Sequence, residues 1–254
     1  MANQVAKKED APLAVSNEQL LEFAGQGVEG LGTEDLAIPF VNILQAPSPQ
    51  LKKREGQYIE DAEEGMLFNT VTNELFSEVE VIPCAYKRLL IEWVPREQQG
   101  GFVTAHDPES GILKGTTKNE RGQDILPNGN YLANTAQHYI LLLSPLYGLT
   151  QALVSMTSTQ LKKSRRWNTQ MVSQTIKLDN GSIKPLPSFS SAYTLTTCPE
   201  TNQHGTWFGY EIGGRREATS EEFQMGAAFY QAVMTGDIKA TVPEQEGASE
   251  EVPF

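Results

Sequence analysis

VEVIPCAYKRLLIEWV, residues Val79 to Val94, is a sixteen-residue run dominated by β-branched, aromatic and aliphatic side chains, with no glycine in it. Such a run reads as a strand. Pro83 has no N–H to give to a sheet, so within a strand it implies an edge position or a bulge. A second run, Tyr131 to Leu146, is the most apolar stretch of the chain and reads as a central strand. Gln151 to Met156 continues as a third. Further on, Phe189 to Thr197 and Thr206 to Ile212 have the same character.

Between the two groups the pattern changes. Residues 158–176, STQLKKSRRWNTQMVSQTI, lack Gly and Pro and read as a helix opened by Ser158 or Thr159. A last helix is expected from Thr219, where Glu222 three residues on completes a capping box, to Gly236. Phe223, Ala227, Tyr230 and Met234 would share its apolar face. Near the start, Ser16 and Asn17 precede a short amphipathic helix that Gly25 stops. Strands, a helix, strands and a helix make a mainly β, α+β chain. The expected architecture is an OB-fold-like β-barrel with an interposed helix and a C-terminal helix. A β-sandwich is the alternative.

The organisation follows. Residues 1–37 form an acidic, flexible arm with a short helix, and residues 38–236 form the body. Residues 95–130, rich in glycine and charge, read as a long loop or flap over it. Residues 237–254 form a disordered acidic tail. The 254 residues carry 20 basic and 32 acidic side chains, a net charge of −12. That total argues against nucleic acid, but its distribution does not. Residues 1–78 sum to −9, residues 79–216 to +4 and residues 217–254 to −7. A mildly basic body between acidic ends suits an anion-binding surface.

Several chemistries find no support. Three histidines and two cysteines form no CxxC or HxxxH pattern, so no metal and no cofactor is expected. No GxSxG or Walker A sequence occurs, no catalytic residue stands out, and the chain does not read as an enzyme. Gly25 to Gly30 formally matches GxGxxG but follows a helix rather than a strand, so it reads as a linker. His138 reads as a core histidine. The longest aliphatic run, Ile140 to Leu143, is far short of the ~20 residues of a membrane span. No signal peptide is read at the N-terminus, and the expected location is cytoplasmic.

The densest basic cluster is Lys162, Lys163, Arg165 and Arg166, directly before Trp167. On a helix, 162, 165 and 166 share a face. Cations beside an aromatic ring suit single-stranded nucleic acid, which offers phosphates and unpaired bases together. Three further places pair the two types: Tyr86-Lys87-Arg88, Trp93 near Arg96, and Trp207-Phe208-Gly209-Tyr210 ahead of Arg215-Arg216. Alternation puts Trp207 and Tyr210 on opposite faces of a strand without saying which face is buried.

The chain closes with Glu250-Glu251-Val252-Pro253-Phe254 behind further glutamates. This ending resembles the acidic tip of bacterial single-stranded DNA-binding proteins, and those of T7-like phages also close an acidic tail with Phe. The resemblance implies a phage-type protein that coats single-stranded DNA with little sequence preference during replication, recombination or repair. It implies polymerase, helicase or primase as partners through the tip, and allows a homo-oligomer. A strand-annealing recombination protein, an acidic DNA mimic with inhibitory function, and a metal-dependent nuclease are the alternatives.

Overall fold

The computed structural model describes residues 16–32, 35–120, 122–202 and 205–238. It divides into two units, residues 1–36 and residues 37–254. In the first, α1 (Asn17–Glu22) begins at a full capping box. The Ser16 hydroxyl accepts from the Gln19 N–H, and the Gln19 side chain accepts from the Ser16 N–H.

The second unit is mainly β. Its main sheet is antiparallel and eight-stranded, built on two long strands, β4 (Val79–Val94) and β8 (Tyr131–Ser144). Each has different neighbours in its two halves. The start of β4 pairs with β12 (Ser191–Asn202), which pairs with β13 (Gly205–Glu217); the end of β4 pairs with β5 (Gly101–His106). The end of β8 pairs with β9 (Gly148–Thr157), and its start with β7 (Asp124–Ile125), which holds β6 (Thr117–Lys118). The sheet curls into a half-barrel. Around it, β4 stands between β8 and β12, with β9 and β13 at the outer edges, and α2 (Leu161–Val172) is inserted between β9 and β12. This is the strand order of a partly open OB-like barrel.

The gap between β9 and β13 is bridged by residues 39–45, which include β1 (Val41–Ile43). On one side the Leu153 N–H donates to the Pro39 carbonyl. On the other, the Gln45 amide stands in for a missing strand. Its Nε2 donates to the Phe208 carbonyl (2.8 Å), and its Oε1 accepts from the Phe208 N–H (3.0 Å). Gln160 does the same for the next outward group, accepting from the Tyr210 N–H. Over Phe208 and Tyr210 the β13 edge is therefore not free to pair with another chain. β1 also pairs with β2 (Leu67–Asn69), and β2 with β3 (Leu75–Phe76), a small sheet packed on the barrel.

Two cores result, one on each face of the main sheet. Inside the barrel, Val79, Val81, Ile140, Leu142, Val154 and Leu195 meet the small sheet and Trp167 of α2. On the outer face, Ile82, Cys84, Tyr139, Leu141 and Leu153 meet Phe229 and Val233 of α3 (Ser220–Thr235). Tyr139–Leu142 is covered on both sides, which is why that run reads as continuously apolar. Pro83 lies in a central strand, and of the two readings it allowed the bulge is the one found, between Pro83 and Ala85. The bulge reverses the alternation: Val79 and Val81 point into the barrel, whereas beyond it Tyr86 does and Lys87 points toward α3.

Four expectations need correction. The helix expected over 158–176 is shorter, because Thr175–Lys177 pairs with Ile183–Pro185 as an exposed hairpin, β10 and β11. The segment 95–130 is not only a loop, since β5, β6 and β7 extend the sheet. It is anchored by Glu92, whose buried carboxylate accepts from Asn130 (2.6 Å) and Asn128 (3.0 Å) and meets His106 Nε2 (2.8 Å). The Asn130 amide, helped by Asn128 and His106, holds the Glu92 carboxyl below its usual range against the opposing effect of burial. Finally, α3 has the expected capping box at Thr219 and Glu222 but buries Glu222, Gly226, Phe229 and Val233. That face lies one residue, about 100°, from the expected one. The rotation has two causes. Arg216 draws Glu222 inward, and Gly226 permits close approach, since a Cβ there would come within 2.7 Å of Phe189. Ile238 is also buried, so the body reaches beyond residue 236.

Candidate nucleic-acid interface

α2 crosses the barrel with two unlike faces. Ser164, Trp167 and Met171 point inward, at spacings of three and four residues. Trp167 is fully buried, stacked on His138 (centroids 4.5 Å apart) and edge-on to Tyr193. His138 Nε2 bonds the Ser164 hydroxyl at 2.8 Å, while Nδ1 has no partner among the described residues. Burial pushes the His138 pKa down to about 3, so the ring is neutral in the fold.

The outward face carries Lys162, Arg165 and Arg166, all exposed, and none has an ion-pair partner among the described residues. The helix has no acidic residue, and its lysines sit in the first turn, where cations oppose the helix dipole. Neither i,i+4 pairing nor the dipole accounts for these charges, so helix stability does not explain them.

The other sequence candidates divide by role. Lys163 does not join the open cluster: its ammonium pairs with Glu200 at 2.9 Å and donates to Cys198 Sγ. Trp167, Trp207 and Tyr210 are buried and present no stacking surface. The Trp207 indole donates to Glu200, and the Tyr210 hydroxyl to the Val41 carbonyl. Trp207 and Tyr210 point to opposite faces as alternation requires, but both faces are covered, one by Gln160 and Glu200 and the other by β1. Lys87 donates to the Val233 carbonyl and lies over the Tyr139 ring, holding α3. Arg216 is shared between Glu80 and Glu222. Trp93 is half-buried and edge-on to Phe102.

Three open candidates remain besides the α2 face. Arg88 is exposed, with Nε donating to Asn134. Arg215 is exposed, with Nε donating to Gln174 (2.8 Å) and Ser191 (3.3 Å). Tyr86 is 43% exposed and rests on His138 (5.1 Å), which rests on Trp167 of α2. A ring backed by two further rings is a rigid stacking surface. Its sequence signal was its place beside Lys87 and Arg88. The acidic segment Glu250 to Phe254 lies outside the described residues. Among the described residues no cluster of His, Cys, Asp or Glu is suited to a metal ion, and no helix is long and apolar enough to cross a membrane.

A family model described as Pam3 phage gp34-like protein matches residues 7–239. No curated protein and no solved structure matches the chain.

Proposed function

Because the chain belongs to the Pam3 phage gp34-like family and carries this surface, we propose that it is a phage protein that coats single-stranded DNA with little sequence preference, in the cytoplasm of its host. The observation that carries the reading is the unpaired basic face of α2, Lys162, Arg165 and Arg166, on an OB-like barrel. Phosphates would meet these cations with Arg88 and Arg215, and bases would stack on Tyr86. Among the described residues the open groups of this surface are cations and one ring, which meet phosphates and base faces rather than base edges, so preference for sequence should be weak. The acidic Glu250–Phe254 segment would recruit replication proteins such as polymerase, helicase or primase, its ring and carboxylates suiting an apolar pocket rimmed by cations.

The test is binding of fluorescent oligo(dT) and of an equal-length duplex across a salt series. The proposal expects clear preference for the single strand and affinity that falls as salt rises. Equal binding to both, or binding to neither as a DNA mimic would show, refutes it.

A further inference from the structure

Between the last turn of α2 and the β12–β13 hairpin lies a cavity of about 380 Å³ lined by Thr169, Gln170, Ser173, Tyr193, Gly213, Gly214 and Arg215. We infer that it is a nucleotide subsite, taking one base of a bound strand while Arg215 holds the adjoining phosphate. The inference rests on the proposed single-strand binding and names a place on its path.

The cavity wall at Gly213 and the Arg215 donors left free among the described residues carry the inference together. Gly214 has a structural reason to be glycine, with φ of +55° and no room beside Thr194. Gly213 has neither restraint, since its φ is not positive and nothing stands within 4 Å of where a Cβ would be; it borders the bulge at which Gly213 and Arg216 face Thr194 and Ala192. Glycine inside a strand weakens it and often marks a bulge or the close approach of a ligand; the bulge is present here, and bulges recur beside binding sites. Here the bare strand backbone forms one wall of a cavity of ligand-binding size.

The rest of the lining is mostly apolar, which suits the face of a base, and Arg215 suits a phosphate. The Arg215 guanidinium is fixed through Nε alone, and its two Nη groups have no partner among the described residues. They are the donors that favour phosphate. The cavity also continues the basic face, because Lys162, Arg166, Thr169 and Ser173 follow one another at four, three and four residues along one side of α2. At 1.5 Å per residue that stripe is about 16 Å long.

The test fills the cavity. Gly213→Leu occupies it from the strand side without backbone strain. Thr169→Leu fills it from the opposite wall at an exposed helical position, where Leu is the better helix former. Each is titrated with oligo(dT) and with an abasic strand of equal length. Both should weaken oligo(dT) binding about fivefold or more, the effect of losing one base contact. Abasic-strand affinity and the salt slope should stay as in the wild type. Equal losses on the two strands, or none on oligo(dT) by either variant, overturn the subsite while leaving single-strand binding in place. A wild type that does not bind oligo(dT) removes both readings.

Discussion

Replacing Arg216 by Gln separates a structural cation from a binding one. Its guanidinium makes four contacts of 2.8 Å, two to Glu80 and two to Glu222, and Nη1 also donates to the Glu217 carbonyl at 3.1 Å. The two carboxylates differ in weight. The Glu80 side chain is 39% exposed, so that pair is worth about 0.5 kcal/mol, as exposed ion pairs are. The Glu222 side chain is 9% exposed, and losing Arg216 leaves it charged and half-satisfied in the first turn of α3, at about 1.5 kcal/mol. The sum, about 2 kcal/mol, lowers Tm by about 4–8 °C in a body of this size. The Arg216 hydrogen bonds hold the Glu222 carboxyl below its ordinary value of 4.5. Its stabilisation is therefore complete at neutral pH and lost as pH falls from 4.5 through the lowered folded value, so the gap between variant and wild type should narrow below pH 4.5. Thermal melts at pH 7 and pH 4, with an oligo(dT) salt titration, check both sides. An unchanged Tm with a salt slope reduced by about 0.7 would make Arg216 a phosphate contact and refute the assignment.

Other outcomes follow from the same geometry. Gln45→Leu removes the stand-in strand at Phe208 and should cost about 1–3 kcal/mol, read by urea unfolding, with faster amide exchange at Phe208; unchanged exchange there would contradict the edge-capping role. His138 should make the fold acid-sensitive. Its unfolded value is near 6.5 and its folded value about 3, so between them only the unfolded chain takes up the proton. Stability should then fall by up to about 1.4 kcal/mol per pH unit below 6.5, and His138→Gln should flatten that fall between pH 6.5 and 5; equal slopes in the two proteins would contradict it.

How much of this was legible in the sequence depends on how local the signal is. Val79–Val94 stands at its expected bounds because β-branched and aromatic residues declare a strand without help from partners. The Thr219–Glu222 box is equally local. The outward face of α2 could be read because helical spacing alone groups 162, 165 and 166. What failed needed knowledge of partners. Arg215 and Arg216 alternate on β13, but only the packing of α3 makes one structural and leaves the other open. Trp167 and Tyr86 look alike beside their cations, yet one is the bottom of a ring stack and the other its top. β6 and β7 are two residues each, too short for any period to show.

The central claim is that the open face of α2 holds the phosphates of a single strand. It is tested most directly by the salt dependence of oligo(dT) binding in a Lys162→Ala, Arg165→Ala, Arg166→Ala variant beside the wild type. These side chains are exposed and unpaired among the described residues, so Tm should stay the same. At about 0.7 of slope per phosphate contact on single strands, the logarithmic slope should fall by about 2. A slope equal to that of the wild type, with the variant folded, would contradict the claim.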